Sequence, residues 1–181
     1  MKIRLKKDEI VRYSNQYVGS NNDIVDRDDA LANQLRAAVN RGHLTRADLV
    51  AVATWKWRGG RTRQLALGNT EDEVREISAV SFLARTERLK IGALLALQGV
   101  QWPMASVILH FAFPDRYPIL DIRAMNTVGG STIYTFDKWM QYVELCRDAT
   151  QRFGVTMRNL DRALWQYDKE HGKQRTKPGS R

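Results

Sequence analysis

The residue best suited to chemistry in this sequence is Asp121. It follows Tyr117-Pro118-Ile119-Leu120 and opens a short helical stretch, 122–128. A carboxylate held there can stabilise positive charge growing in a transition state, or align and deprotonate a water. A helix start also favours its ionised form. An aspartate before a short helix is equally an ordinary N-cap, and one residue can be both. Upstream, residues 97–109 run Leu-Gln-Gly-Val-Gln-Trp-Pro-Met-Ala-Ser-Val-Ile-Leu. They read as a helix end, a tight turn at Gly99, and a second helix with Ala105 and Ser106 on a small-residue face. Free N–H groups at the start of that helix can hold a phosphate without a side-chain charge. Gly99, Val100, Gln101, Trp102 and Met104 are the DNA-contact candidates on this hairpin, with Val100 locking the two helices together. An ordinary αα-hairpin has the same pattern.

A second segment combines cations and indoles: Trp55-Lys56-Trp57-Arg58-Gly59-Gly60-Arg61-Thr62-Arg63. It reads as a helix ending in a flexible loop. Lys56, Arg58, Arg61 and Arg63 suit phosphates, and Trp55 suits stacking on a base. Trp57 reads as core. Tyr117, Arg123 and Tyr134 are further rim candidates for a base pocket. His110 lies on an apolar helix and reads as a packed histidine, and Asp161-Arg162 beside Trp165 as a structural or surface pair. Gly129-Gly130-Ser131-Thr132 has no lysine after it, so it is not a P-loop. No spacing of His, Asp or Glu indicates a catalytic metal.

The elements that must position these residues are helices. Helical periodicity covers 8–18, 26–41 and a segment capped by Thr45 that stops at Gly59-Gly60. Thr70 with Glu73 makes a capping box. Further helices are expected at 89–97, 103–112 with Pro103 in its first turn, 122–128, a long one capped by Thr135 up to residue 153, and 156–171. Few runs alternate with period two. The expected fold is all-α, a bilobal helical bundle, with one domain over 1–172 and a basic, flexible tail over 173–181.

Composition narrows the partners. The 181 residues are 43% hydrophobic, enough for a core, and carry a formal charge of +9. That excess favours a polyanion, and nucleic acid is the commonest. Cys146 is the only cysteine, so a disulfide, a cysteine-ligated zinc and an iron–sulfur cluster are excluded within one chain. No signal peptide is read after the basic Met1–Lys7, and no apolar run reaches membrane-spanning length. The expectation is a cytoplasmic, monomeric protein on double-stranded DNA.

The order Leu-x-Gly-Val, Ala-Ser-x-Ile-Leu and Pro-Ile-Leu-Asp, read over 97–121, resembles the helix-hairpin-helix DNA glycosylase superfamily. Aligning the hairpins places Asp121 on that family's catalytic aspartate. The resemblance implies a glycosylase-like fold, base flipping from double-stranded DNA, and no cofactor beyond a monovalent cation at the hairpin. Gln101 stands where the family has a second glycine, and a left-handed backbone there would be strained. Pro103 stands where bifunctional members carry a Schiff-base lysine, which implies a monofunctional hydrolase. Ile122-Arg123 replaces the more usual Thr-His. Two roles are compatible: base excision repair, or removal of modified, for example glucosylated, phage bases. The alternatives are a non-catalytic helix-hairpin-helix DNA-binding protein and a helical protein-interaction domain.

Overall fold

The computed structural model describes residues 1–21, 23–57 and 59–172. It is all-helical, with ten α-helices and no strand among the described residues. In order they are α1 (Lys7–Gly19), α2 (Ile24–Arg41), α3 (Arg46–Lys56), α4 (Gly60–Leu67), α5 (Glu71–Leu83), α6 (Glu87–Leu94), α7 (Trp102–Ala112), α8 (Ile122–Val128), α9 (Phe136–Phe153) and α10 (Met157–His171). No described helix is long and apolar enough to cross a membrane.

Local chemistry sets most of the boundaries. Thr45 with Asp48 and Thr70 with Glu73 close reciprocal capping boxes on α3 and α5. Thr135 and Thr156 cap α9 and α10 through their hydroxyls. Gly42 and Gly129 end α2 and α8 in the left-handed conformation. One expectation fails here. The Gly59-Gly60 pair does not open a loop up to Arg63. Gly60 starts α4, and the helix runs on through Arg61 and Arg63.

The core is built around α7. Every residue from Met104 to Ala112 is buried, which an amphipathic surface helix cannot manage and a central one must. Helices α2, α3 and α6 pack on it, while α10 packs on α1 and α8. The buried apolar residues form one cluster running from Leu5 to Leu164. Tyr117 and Trp139 stack within it at 5.9 Å.

The extended stretch 117–120 crosses α7 and delivers Asp121. It is pinned at three points. The Ser106 hydroxyl accepts from Leu120 N at 2.8 Å and donates to Pro103 O at 2.8 Å. His110 Nδ1 meets Tyr117 O at 2.7 Å, and Tyr142 donates to Ile119 O at 3.5 Å. The small face of α7 at Ala105 and Ser106 therefore faces the core, not a ligand.

Candidate active site

Asp121 sits where the C-terminal end of α3 meets the N-terminal end of α8. Its Oδ1 accepts from the Arg123 backbone N–H at 3.0 Å, the N-cap bond. Its Oδ2 accepts from Lys56 Nζ at 2.9 Å. Each charge lies at the helix end whose dipole favours it. Burial pushes the Asp121 carboxyl up, but the charge and hydrogen bond of Lys56, with the Arg123 N–H and guanidinium, outweigh it and hold the group below the usual carboxylate range. The carboxylate is thus ionised at neutral pH.

Two cavities meet at this ion pair. One, of about 530 Å³, is lined by Tyr17, Trp55, Lys56, Asp121, Asp161 and Trp165 among others. The other, of about 740 Å³, shares Lys56, Asp121 and Trp165 and adds Trp57, Pro103, Arg123 and Tyr134. Tyr17 and Trp165 meet edge to face at 5.1 Å. Arg123 lies 5.0 Å from the Trp165 ring and bonds Asp168 at 3.2 Å.

A buried charge network forms the back of the first cavity. Asp28 accepts from Trp55 Nε1 at 3.0 Å, from Arg158 Nε at 2.6 Å and from Arg162 at 2.7 Å. Burial raises the Asp28 carboxyl, but the two guanidinium groups prevail and hold it low. Arg158 also donates to Asp161. Asp161 behaves differently. Burial, with Asp121 and Asp28 nearby, outweighs the attraction of Arg158 and Lys56 and pushes it up to about 6. One cavity therefore carries two carboxylates whose environments shift them in opposite directions. Asp161, read as a structural or surface pair with Arg162, is buried and pairs with Arg158 instead, while Arg162 pairs with Asp28. The cavity partners of Asp161 lie on α3 and α8, and no sequence spacing reports that.

The comparisons with known proteins are negative. No family model, curated protein or solved structure matches the chain.

The sequence-read site residues divide into two groups. Asp121, Trp55, Lys56, Arg123 and Tyr134 come together around the two cavities. Lys56 is not free for a phosphate, however. Its side chain is 7% exposed and bound to Asp121. Tyr117 is fully buried and donates to Glu87 at 2.7 Å, so it forms no pocket rim. Trp57, read as core, is 48% exposed. Arg61 and Arg63 are exposed on α4. Arg58 and the 173–181 tail lie outside the described residues.

The hairpin differs from its sequence reading in what it exposes. Gly99 has φ +80°, and a Cβ on it would come within 2.8 Å of Leu65 Cβ on α4. Asn69 clamps the turn on both sides, accepting from Gln98 N at 2.8 Å and donating to Gln98 O at 3.0 Å. The Val100 and Met104 side chains are buried, and Val100 N already bonds Leu97 O. Neither can touch DNA. Gln101 needs no left-handed backbone: it is the extended N-cap of α7 at φ −103°. Its side chain is exposed, and Trp102 is half-buried, 6.4 Å from Trp139. Among the described residues, the Gly99, Gln101 and Trp102 N–H groups have no acceptor. They are what remains of the hairpin for a phosphate. Among the described residues no cluster of acidic, His and Cys side chains could hold a metal ion.

Proposed function

We propose that this protein is a DNA glycosylase that releases a damaged or modified base flipped out of double-stranded DNA. The observation that carries the reading is the ionised Asp121 carboxylate on the wall shared by two cavities, one helix and one turn after the hairpin. Glycosidic bond breakage builds positive charge on deoxyribose, and a fixed carboxylate in a poorly hydrated site lowers the energy of that state. The first cavity has the size and the aromatic walls for a flipped base. The exposed Arg61 and Arg63, and the free N–H groups of Gln101 and Trp102, would hold the phosphates. The +9 charge supplies the long-range attraction.

The test is base release from duplexes carrying alkylated, deaminated or glucosylated bases, read as strand breaks after alkali treatment. Release from one of them that disappears in Asp121→Asn is the expected result. Release that survives this change unaltered removes Asp121 from the chemistry. A second reading has its own support, since both Asp121 oxygens already have partners in a cap and an ion pair. It makes the chain a DNA-binding protein without catalysis. It predicts salt-dependent duplex binding and no base release from any substrate.

A further inference from the structure

Away from the cleft, α5 presents a face that its own chain leaves uncovered. Val74, Ser78 and Ser81 turn into the core. At about 100° per residue, the opposite face carries Asp72, Glu76, Ala79, Val80 and Leu83. Val80 is 47% exposed, and Leu83 at 79% is the most exposed large hydrophobic side chain among the described residues. Single exposed apolar residues are ordinary, but two on one face beside a small alanine make a patch. Charge brackets this patch in a definite order. Asp72 and Glu76 precede it, and Arg85 lies just past the end of α5. All three are exposed, and among the described residues none has an ion-pair partner. Glu71 and Glu73 differ, since Glu71 accepts from Arg46 N and Glu73 from Thr70 N. Acidic groups near a helix start suit its dipole, which accounts for the carboxylates but not for the apolar half.

We propose that this face of α5 pairs with the same face of a second copy of the chain, antiparallel, about a two-fold axis at Ala79 and Val80. An isologous contact needs a surface complementary to itself. A helix face that is acidic at one end, apolar in the middle and basic at the other meets that need in one direction only. Run antiparallel, Arg85 of each copy stands opposite the Asp72–Glu76 turn of the other. Run parallel, acid would face acid. Leu83 of each copy then covers the turn of Glu76 and Ala79 on the other, where the small alanine lets the helices approach. No residue of α5, nor Arg85, lines either cavity beside Asp121. The pairing is therefore independent of the glycosylase reading. A single helix pair buries less than the about 1,200 Å² of a stable complex, so the dimer is a weak one.

Sedimentation velocity on the full chain tests the pairing, in salt of about 150 mM to screen the repulsion between two chains of like charge. The expected result is a monomer at about 1 µM and a reversible dimer by about 200 µM. Leu83→Asp should weaken the dimer by about tenfold or more. Arg85→Glu and Glu76→Arg should each weaken self-association as well, because each sets like charges against each other. An equimolar mixture of those two variants should recover the dimer, since both sides of the axis then carry opposite charges. All three positions are exposed, so circular dichroism should show the folded helix content unchanged. A chain that stays monomeric up to about 200 µM overturns the proposal and leaves the face to a different protein. A dimer indifferent to Leu83→Asp forms through another surface and overturns it too. A dimer that Leu83→Asp weakens but that the charge-variant mixture does not recover rules out the antiparallel pairing.

Discussion

Asp121 uses its two oxygens for different purposes, and a substitution can separate them. Oδ1 caps α8 and Oδ2 faces Lys56. Asparagine caps a helix about as well as aspartate, so Asp121→Asn keeps α8 but removes the charge. We expect base release to fall by about a hundredfold or more, with duplex affinity retained in an anisotropy titration. Loss of binding along with activity would mean that the charge organises the site and does not act on the sugar. Asp28 lies deeper, and its role is structural. From α2 it holds Trp55 of α3 together with Arg158 and Arg162 of α10. Asp28→Ala leaves two guanidinium groups buried without their shared carboxylate, at a cost of about 3 kcal/mol or more. Urea denaturation at pH 7 measures it, and a loss below about 1 kcal/mol would show water replacing the carboxylate.

At the scale of elements, the hairpin and α4 behave as one unit. Gly99 lies against Leu65 and Ala66 with its backbone in the left-handed region, and Asn69 holds the adjoining Gln98. Gly99→Ala therefore meets both a strained φ and a contact too short for a methyl group. It should cost about 2–3 kcal/mol and shift the α4 surface that carries Arg61 and Arg63. Thermal unfolding and duplex affinity should both fall. A stable variant with unchanged affinity would show that α4 yields freely. The same contact explains what the sequence could and could not disclose. Caps and periodicity reveal most helices because a Thr-x-x-Glu box or a glycine stop acts within one turn. Gly60 looks like such a stop, yet α4 forms because tertiary packing on the hairpin outweighs glycine's poor helix propensity. Asp121 is legible because its cap position and the spacing from the hairpin are both local. Asp161 and Arg158 are not, since their meaning depends on Asp28, 130 residues from Arg158. Lys56 was legible as a cation, but its ion pair spans 65 residues, and only the fold turns a phosphate candidate into a site residue.

Across the whole molecule, two buried groups, His110 and Asp161, respond oppositely to acid. His110 is buried in α7. Desolvation first, then the charge of Arg158, lower it to about 4, against the raising effects of its bond to Tyr117 O and of Asp28. A histidine with a depressed folded-state pKa contributes stability above its unfolded value of about 6.5 and loses it as pH falls toward 4. Asp161, raised to about 6 in the fold, works the other way: its contribution is full below its unfolded value near 4 and is lost as pH rises through 6. The two partly cancel between pH 5 and 7, so the unaltered protein alone reveals neither. A comparison separates them. In His110→Asn the amide can still donate to Tyr117 O, Asp161 titrates as before, and the histidine contribution is gone. Urea denaturation of both chains at pH 7 and pH 5 should show the stability gap between them shrinking by about 2 kcal/mol on acidification. The asparagine variant is the less stable chain at pH 7, because it underfills the core, and gains relative to the other at pH 5. An unchanged gap would mean that His110 takes up its proton in the folded state by pH 5, and that the core around α7 admits a charge.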